Sequence, residues 1–239
     1  MTSFRRMVVA LGLGAAALSW PAVDAAAQAK PGELEAVLRQ MDEGSTRFHS
    51  AQADFRKDLY ERVVKETTTQ LGAIYYLRTP GGIQMGTKFT QPVKIVEIKD
   101  GMIRLFDPGA DHLTEISIKN NQTQYESFLT LGFGGSGTEL AKKWTISYLG
   151  TEQLNDGKKL VSTVKLDLVA KDANTRNTFS HIVIWVEPQQ DISLKQQFFQ
   201  PSGDMQTVTF TNVRYNMLKK SDMDGFAIKT DKKTSVDRR

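Results

Sequence analysis

The 239-residue chain has no cysteine. That excludes thiol nucleophiles, thiolate metal sites, iron–sulfur clusters, disulfides and thiol-linked lipid anchors together. Histidine is nearly as scarce. His49, His112 and His181 are the three, so a multi-histidine metal site would need almost all of them in one place. A dominant charge sign is also missing. With 31 basic and 27 acidic residues the formal charge is +4, too slight an excess to indicate nucleic acid as a partner. No apolar run reaches the roughly 20 residues of a bilayer-spanning helix. What remains, 40% hydrophobic and 24% charged with 18 Gly and 7 Pro, is a globular composition.

The N-terminus reads as a secretory signal. Arg5 and Arg6 give the positive start, Met7 to Leu18 the short apolar run, and cleavage fits after Ala27 or after Ala29. An uncleaved anchor is the alternative. Residues 1–27 are therefore read as signal, and 28–239 as one exported domain with a polar tail over 231–239.

Leu34, Val37, Leu38 and Met41 fall at i, i+3, i+4 and i+7, which predicts an amphipathic helix from Leu34 to about Arg47. Most of the rest alternates like strand. About eleven segments are punctuated by turns such as Asp100-Gly101, Asp107-Pro108-Gly109 and Asn155-Asp156-Gly157. The expected fold is mainly β (α+β): a single curled antiparallel sheet forming an open or half β-barrel. The strand Phe179–Glu187 is apolar on both faces. It is either a central strand covered on each side or a wall of an apolar cavity.

The meander breaks once, over about 120–144. Gln122 to Leu131 and Thr138 to Trp144 read as short helices, the second with Thr138 as N-cap. Between them Gly132, Gly134, Gly135 and Gly137 form a hinge. The whole looks like a short helical lid.

Chemical motifs fail on inspection. Gly132, Gly134 and Gly137 match G-x-G-x-x-G, but no strand precedes them and no βαβ unit follows. Asp107, Asp111, His112 and Glu115 cluster at one turn, and the turn itself accounts for them. There is no G-x-S-x-G elbow. No cofactor, metal or catalytic residue is indicated.

Several stretches, in order, resemble the periplasmic outer-membrane lipoprotein carrier family (LolA-type). They are Phe48-His49-Ser50-Ala51-Gln52-Ala53-Asp54-Phe55, Gly72 through Pro80 around Tyr75-Tyr76-Leu77-Arg78, Leu105-Phe106-Asp107-Pro108, and Phe210-Thr211-Asn212-Val213-Arg214-Tyr215-Asn216. The family's closing Phe-x-x-x-Pro-x-Gly segment is replaced by Phe226-Ala227-Ile228-Lys229-Thr230. The resemblance implies a monomeric periplasmic carrier, not an enzyme. It would take acyl chains of lipoproteins from an inner-membrane releasing transporter to an outer-membrane lipoprotein receptor. It also implies that Arg78 locks the lid by reaching its backbone; from its neighbours alone, Arg78 is an exposed arginine before a turn. The expected acyl cavity is lined by Tyr76, Met85, Val96, Ile98, Phe106, Val183, Trp185 and Phe198, with Phe128, Leu131 and Trp144 from the lid. A sensor of the same fold, a carrier of another apolar ligand and an envelope hydrolase are the alternatives. The sensor would carry a further C-terminal domain, for which little length follows Asn216.

Overall fold

The computed structural model describes residues 32–119 and 128–239. The signal sequence and part of the first lid helix lie outside these residues.

Helix α1 (Glu33–Arg47) opens the described chain and buries Val37, Met41 and Gly44. Six strands follow as a meander: β1 (Ser50–Glu61), β2 (Glu66–Thr79), β3 (Gly82–Thr90), β4 (Val93–Lys99), β5 (Met102–Asp107) and β6 (His112–Ser117). The lid segment then leads through α2 (Gly137–Lys143) into β7 (Trp144–Asn155) and β8 (Leu160–Ala170). A short helix α3 (Ala173–Thr178), which periodicity does not reveal, precedes β9 (His181–Glu187), β10 (Ile192–Phe199) and β11 (Met205–Tyr215). After α4 (Lys220–Met223) and a single 3-10 turn, the chain ends in β12 (Ser235–Arg238).

All twelve strands form one unclosed sheet, in the order β12-β6-β5-β4-β3-β2-β1-β11-β10-β9-β8-β7. Every pairing is antiparallel except β12 on β6. The topology places the lid. The first meander ends at the β6 side and the second starts at the β7 edge, and between them Leu131, Phe133 and Leu140 lie on the inner face. The second meander then returns to the middle, where Phe55 of β1 stands opposite Phe210 of β11.

Strand alternation assigns the faces. The inner face carries Ala51, Ala53 and Phe55, Ile74 and Tyr76, Phe210, and Leu166, Leu168, Ile182 and Ile184. At the β7–β9 end it is covered by Val37 and Met41 of α1 and by Leu131, Leu140 and Trp144. Burying a side chain of this size contributes roughly 1.5–3 kcal/mol, which is how a face of β-branched and leucine side chains fixes the helix.

Over β2 to β6 the outer face is covered by the C-terminal segment around Phe226 and Ile228, and the expected polar tail, 231–239, continues from it into β12. Phe226 packs edge-on against Tyr75, with centroids 5.0 Å apart. Ile228 packs against Ile95, Phe106 and Leu113. Residues 235–238 then pair with β6, and Arg238 Nε donates to Glu115 at 3.0 Å. The tail ends in an edge strand, because backbone pairing along β6 needs no apolar side chains.

Candidate functional site

The ring of Phe133 brings the lid onto the centre of the sheet. Phe133 is almost fully buried. It lies stacked on Tyr76, with centroids 4.1 Å apart and planes at 10°, and edge-on to Phe210 at 5.1 Å. An aromatic side chain of the lid thus fills the centre of the inner face.

Backbone hydrogen bonds hold the segment on either side. Ser193 N donates to Gly132 O at 2.5 Å, and Gly134 N donates to Asp191 O at 3.2 Å. Two side chains latch it. Arg78 donates from Nε to Phe48 O at 3.0 Å and from a terminal nitrogen to Gly134 O. Its guanidinium also lies 5.8 Å from the Phe48 ring centre. Gln196, buried on β10, donates to Leu131 O. The sequence reading singled out Arg78 but missed Gln196, Phe133 and Asp191.

Helix α2 is fastened to α1. Asp42 accepts from Thr138 N at 2.9 Å and from Thr138 Oγ1 at 2.8 Å. Burial pushes the Asp42 carboxyl upward, but the bonds from Thr138 outweigh it and hold the pKa low. The N-cap of α2 is Ser136, whose side chain accepts from Glu139 N, two residues before the position read from sequence. Thr138 is engaged by Asp42 instead. Gly137 permits the approach, since a Cβ there would overlap Leu38 O. Gly134 has φ of 74°, and a Cβ would meet Phe48 at 2.5 Å and Arg78 at 2.8 Å. Both glycines are required by shape.

Asp191 lies beneath Arg78 and Gly134 with no exposed surface, and neither carboxyl oxygen has a hydrogen-bond partner among the described residues. Burial raises its pKa well above the usual carboxylate value, against the opposing charge of Arg78.

Beside Phe133 is a cavity of about 260 Å³. Its walls include Phe55, Ile74, Phe89, Val208 and Phe210, and Phe128 and Leu129 roof it. Of the expected wall residues, Tyr76, Met85, Phe128 and Phe198 line this space. Leu131 and Trp144 are instead packed into the core under α1. Val96 and Ile98 face inward, opposite Thr87 and Met85, but stand towards the β6 side of the sheet. Three expectations are corrected. Phe106 packs on the outer face beneath Ile228. Val183 and Trp185 alternate with the inward Ile182 and Ile184, so they also point outward. There Trp185 is covered by Lys165 and Lys195, whose ammonium groups lie 4.9 and 4.3 Å from its ring, and it donates to Glu152 at 2.6 Å. The both-faces-apolar strand is thus a central strand, with aliphatic lysine stems as its outer cover.

The acidic cluster at 107–115 serves the fold. Asp107 Oδ1 accepts from Gly109 N and Ala110 N, Asp111 accepts from Thr234, and Glu115 pairs with Arg104 and Arg238. Among the described residues no group of acidic and histidine side chains is arranged to hold a metal.

No family model matches the sequence, and no curated protein sequence is detectably similar. Solved structures are similar in shape. An uncharacterized conserved protein from Thermus thermophilus shares 12% identity at a TM-score of 0.52, over 86% of this chain and 98% of its own. MucB shares 12% identity at a TM-score of 0.53, over 86% of this chain and 66% of its own. A LolA superfamily protein from Nitrosomonas europaea shares 12% identity at 0.38, over 82% and 97%. The chain shares the fold of the Thermus thermophilus protein and of MucB. At such identities the likeness is one of fold. The chain spans about two thirds of MucB. No helix among its described residues is long and apolar enough to cross a membrane.

Proposed function

We propose that this protein is a periplasmic carrier of acyl chains, which it binds on the inner face of its sheet and moves between the inner and outer membranes. Lipoproteins are its cargo, a releasing transporter of the inner membrane its donor and a lipoprotein receptor of the outer membrane its acceptor. It works as a monomer without a cofactor, and it makes and breaks no covalent bond. The signal at 1–27 directs it to the periplasm.

The observation that carries this reading is the placement of Phe133. A lid ring occupies the apolar centre of the inner face, held by a few hydrogen bonds above an aromatic cavity. The energies suit an exchangeable plug. Phe133 contributes roughly 1.5–3 kcal/mol by its burial, and each latch hydrogen bond adds about 1 kcal/mol. Each CH₂ of an incoming chain contributes roughly 0.8 kcal/mol. About eight such groups therefore outweigh the plug and two latches. The cavity lies just under the roughly 300–1,000 Å³ of ordinary ligand sites, so cargo with several chains requires the lid to move.

The test is titration of the purified chain with a fluorescent fatty-acyl probe, followed by mixing with lipid vesicles. Saturable binding and transfer support the carrier. Binding without transfer favours a sensor, and no binding overturns the reading.

A further inference from the structure

One wall of the cavity is a cation. Lys57 lies on β1 in the inward series Ala53, Phe55, Lys57, two residues from Phe55 and opposite Val208 of β11. It is half-buried and lines the cavity beside Phe55, Phe89 and Val208. None of the residues lining this cavity is acidic. Among the described residues Lys57 has no hydrogen bond and no ion pair. Its register neighbours are neutral: Gln70 on β2, Val208 on β11, and Gln196 one strand further. Burial lowers its pKa, as expected for an ammonium with nothing to pair with.

An unpaired ammonium against an apolar wall is costly unless a ligand supplies the counter-charge. A chain that only needed an apolar groove would gain by an apolar residue here, as at the inward positions Ala51, Ala53, Phe55 and Leu59. Lys57 also stands on the side of Phe55 remote from the latch, since β1 runs from Ser50 under the lid towards the β1–β2 hairpin. A chain lying along the cavity would therefore have its tail towards Phe133 and its head at Lys57.

We infer that the closed form binds a single long-chain fatty acid, with its carboxylate on the Lys57 ammonium and its hydrocarbon under Phe128 and Leu129. This rests on the acyl-binding reading and adds a head-group preference to it. The size of the cavity points to one chain, and the lone cation points to one negative charge.

The test compares palmitate with methyl palmitate, which has the same chain and no charge, on the full chain by competition with the fluorescent probe. The wild type is expected to bind palmitate at least tenfold more tightly than the ester. Lys57→Met keeps the apolar stem and is expected to abolish that preference, palmitate then binding no more tightly than the ester. Lys57→Arg keeps the charge and is expected to restore it. Equal binding of acid and ester by the wild type, or a preference that survives in Lys57→Met, overturns the inference while leaving acyl binding intact. Tighter binding of lysophosphatidylglycerol than of palmitate overturns the carboxylate assignment in favour of a phosphate head. If neither palmitate nor ester binds, the acyl-binding reading itself fails.

Discussion

The ring of Phe133 lies parallel to the ring of Tyr76, 4.1 Å away and 10° from coplanar. One ring belongs to the lid and the other to the central sheet. Their contact is the point at which a ring of the lid fills the apolar centre of the inner face. A carrier needs this property, because an empty apolar concavity would invite aggregation and a permanently filled one would refuse cargo.

Phe133→Ala removes the plug. The folded protein is expected to lose about 3 kcal/mol, as large-to-small changes at aromatic core sites do, seen as a lower urea midpoint. Affinity for a fluorescent acyl probe is expected to rise several-fold, since the ligand no longer displaces a ring. Weaker probe binding by a folded variant would show that Phe133 builds the site instead of blocking it.

Arg78 and Gln196 latch opposite ends of the same segment, at Gly134 O and Leu131 O. Arg78→Leu and Gln196→Leu are each expected to speed amide exchange over 131–134 about tenfold, the equivalent of about 1.4 kcal/mol, without changing exchange in β8 and β9. Arg78→Leu is also expected to impair transfer to vesicles. Exchange at the wild-type rate in both variants would mean that the lid is held by packing alone.

Asp191 gives a pH dependence of known sign. Its folded pKa lies well above the ordinary carboxylate value because of burial. The folded protein therefore keeps a proton that the unfolded chain releases as pH passes about 4. The contribution of Asp191 to stability is complete below that point and is lost as pH rises from there through the folded pKa. Asp191→Asn is expected to flatten the Tm profile above about pH 4 and to raise Tm at neutral pH. An unchanged profile would place the carboxyl outside the folding equilibrium.

Phe226 holds the C-terminal strap on the outer face. Phe226→Ala is expected to lower stability by about 3 kcal/mol and to leave acyl-probe affinity unchanged, measured on the same preparation. A parallel loss of probe binding would couple the two faces of the sheet.

Much of this architecture was legible in the sequence. The spacing of Leu34, Val37, Leu38 and Met41 gave α1, and the turn at Asp100-Gly101 gave the β4–β5 hairpin, with both residues at positive φ. Face assignment was the weak point. Phe106, Val183 and Trp185 are large and apolar, but period-two alternation alone does not say which face meets the lid. Only the pairing of β1 with β11 settles it. The same alternation, continued past Phe55, would have placed Lys57 inside. Gln196 and Asp191 left no sequence signal, because their roles depend on lid backbone groups more than 50 residues away. The charged tail concealed β12, since an edge strand needs only backbone pairing and no apolar face.

The central claim is that acyl chains occupy the inner face. Native mass spectrometry of the purified, folded chain, incubated with excess acyl lipid and then desalted, tests it most directly. The account predicts a bound acyl lipid at one per chain, retained through desalting and lost on organic extraction. A folded chain that stays empty at every lipid concentration would contradict it.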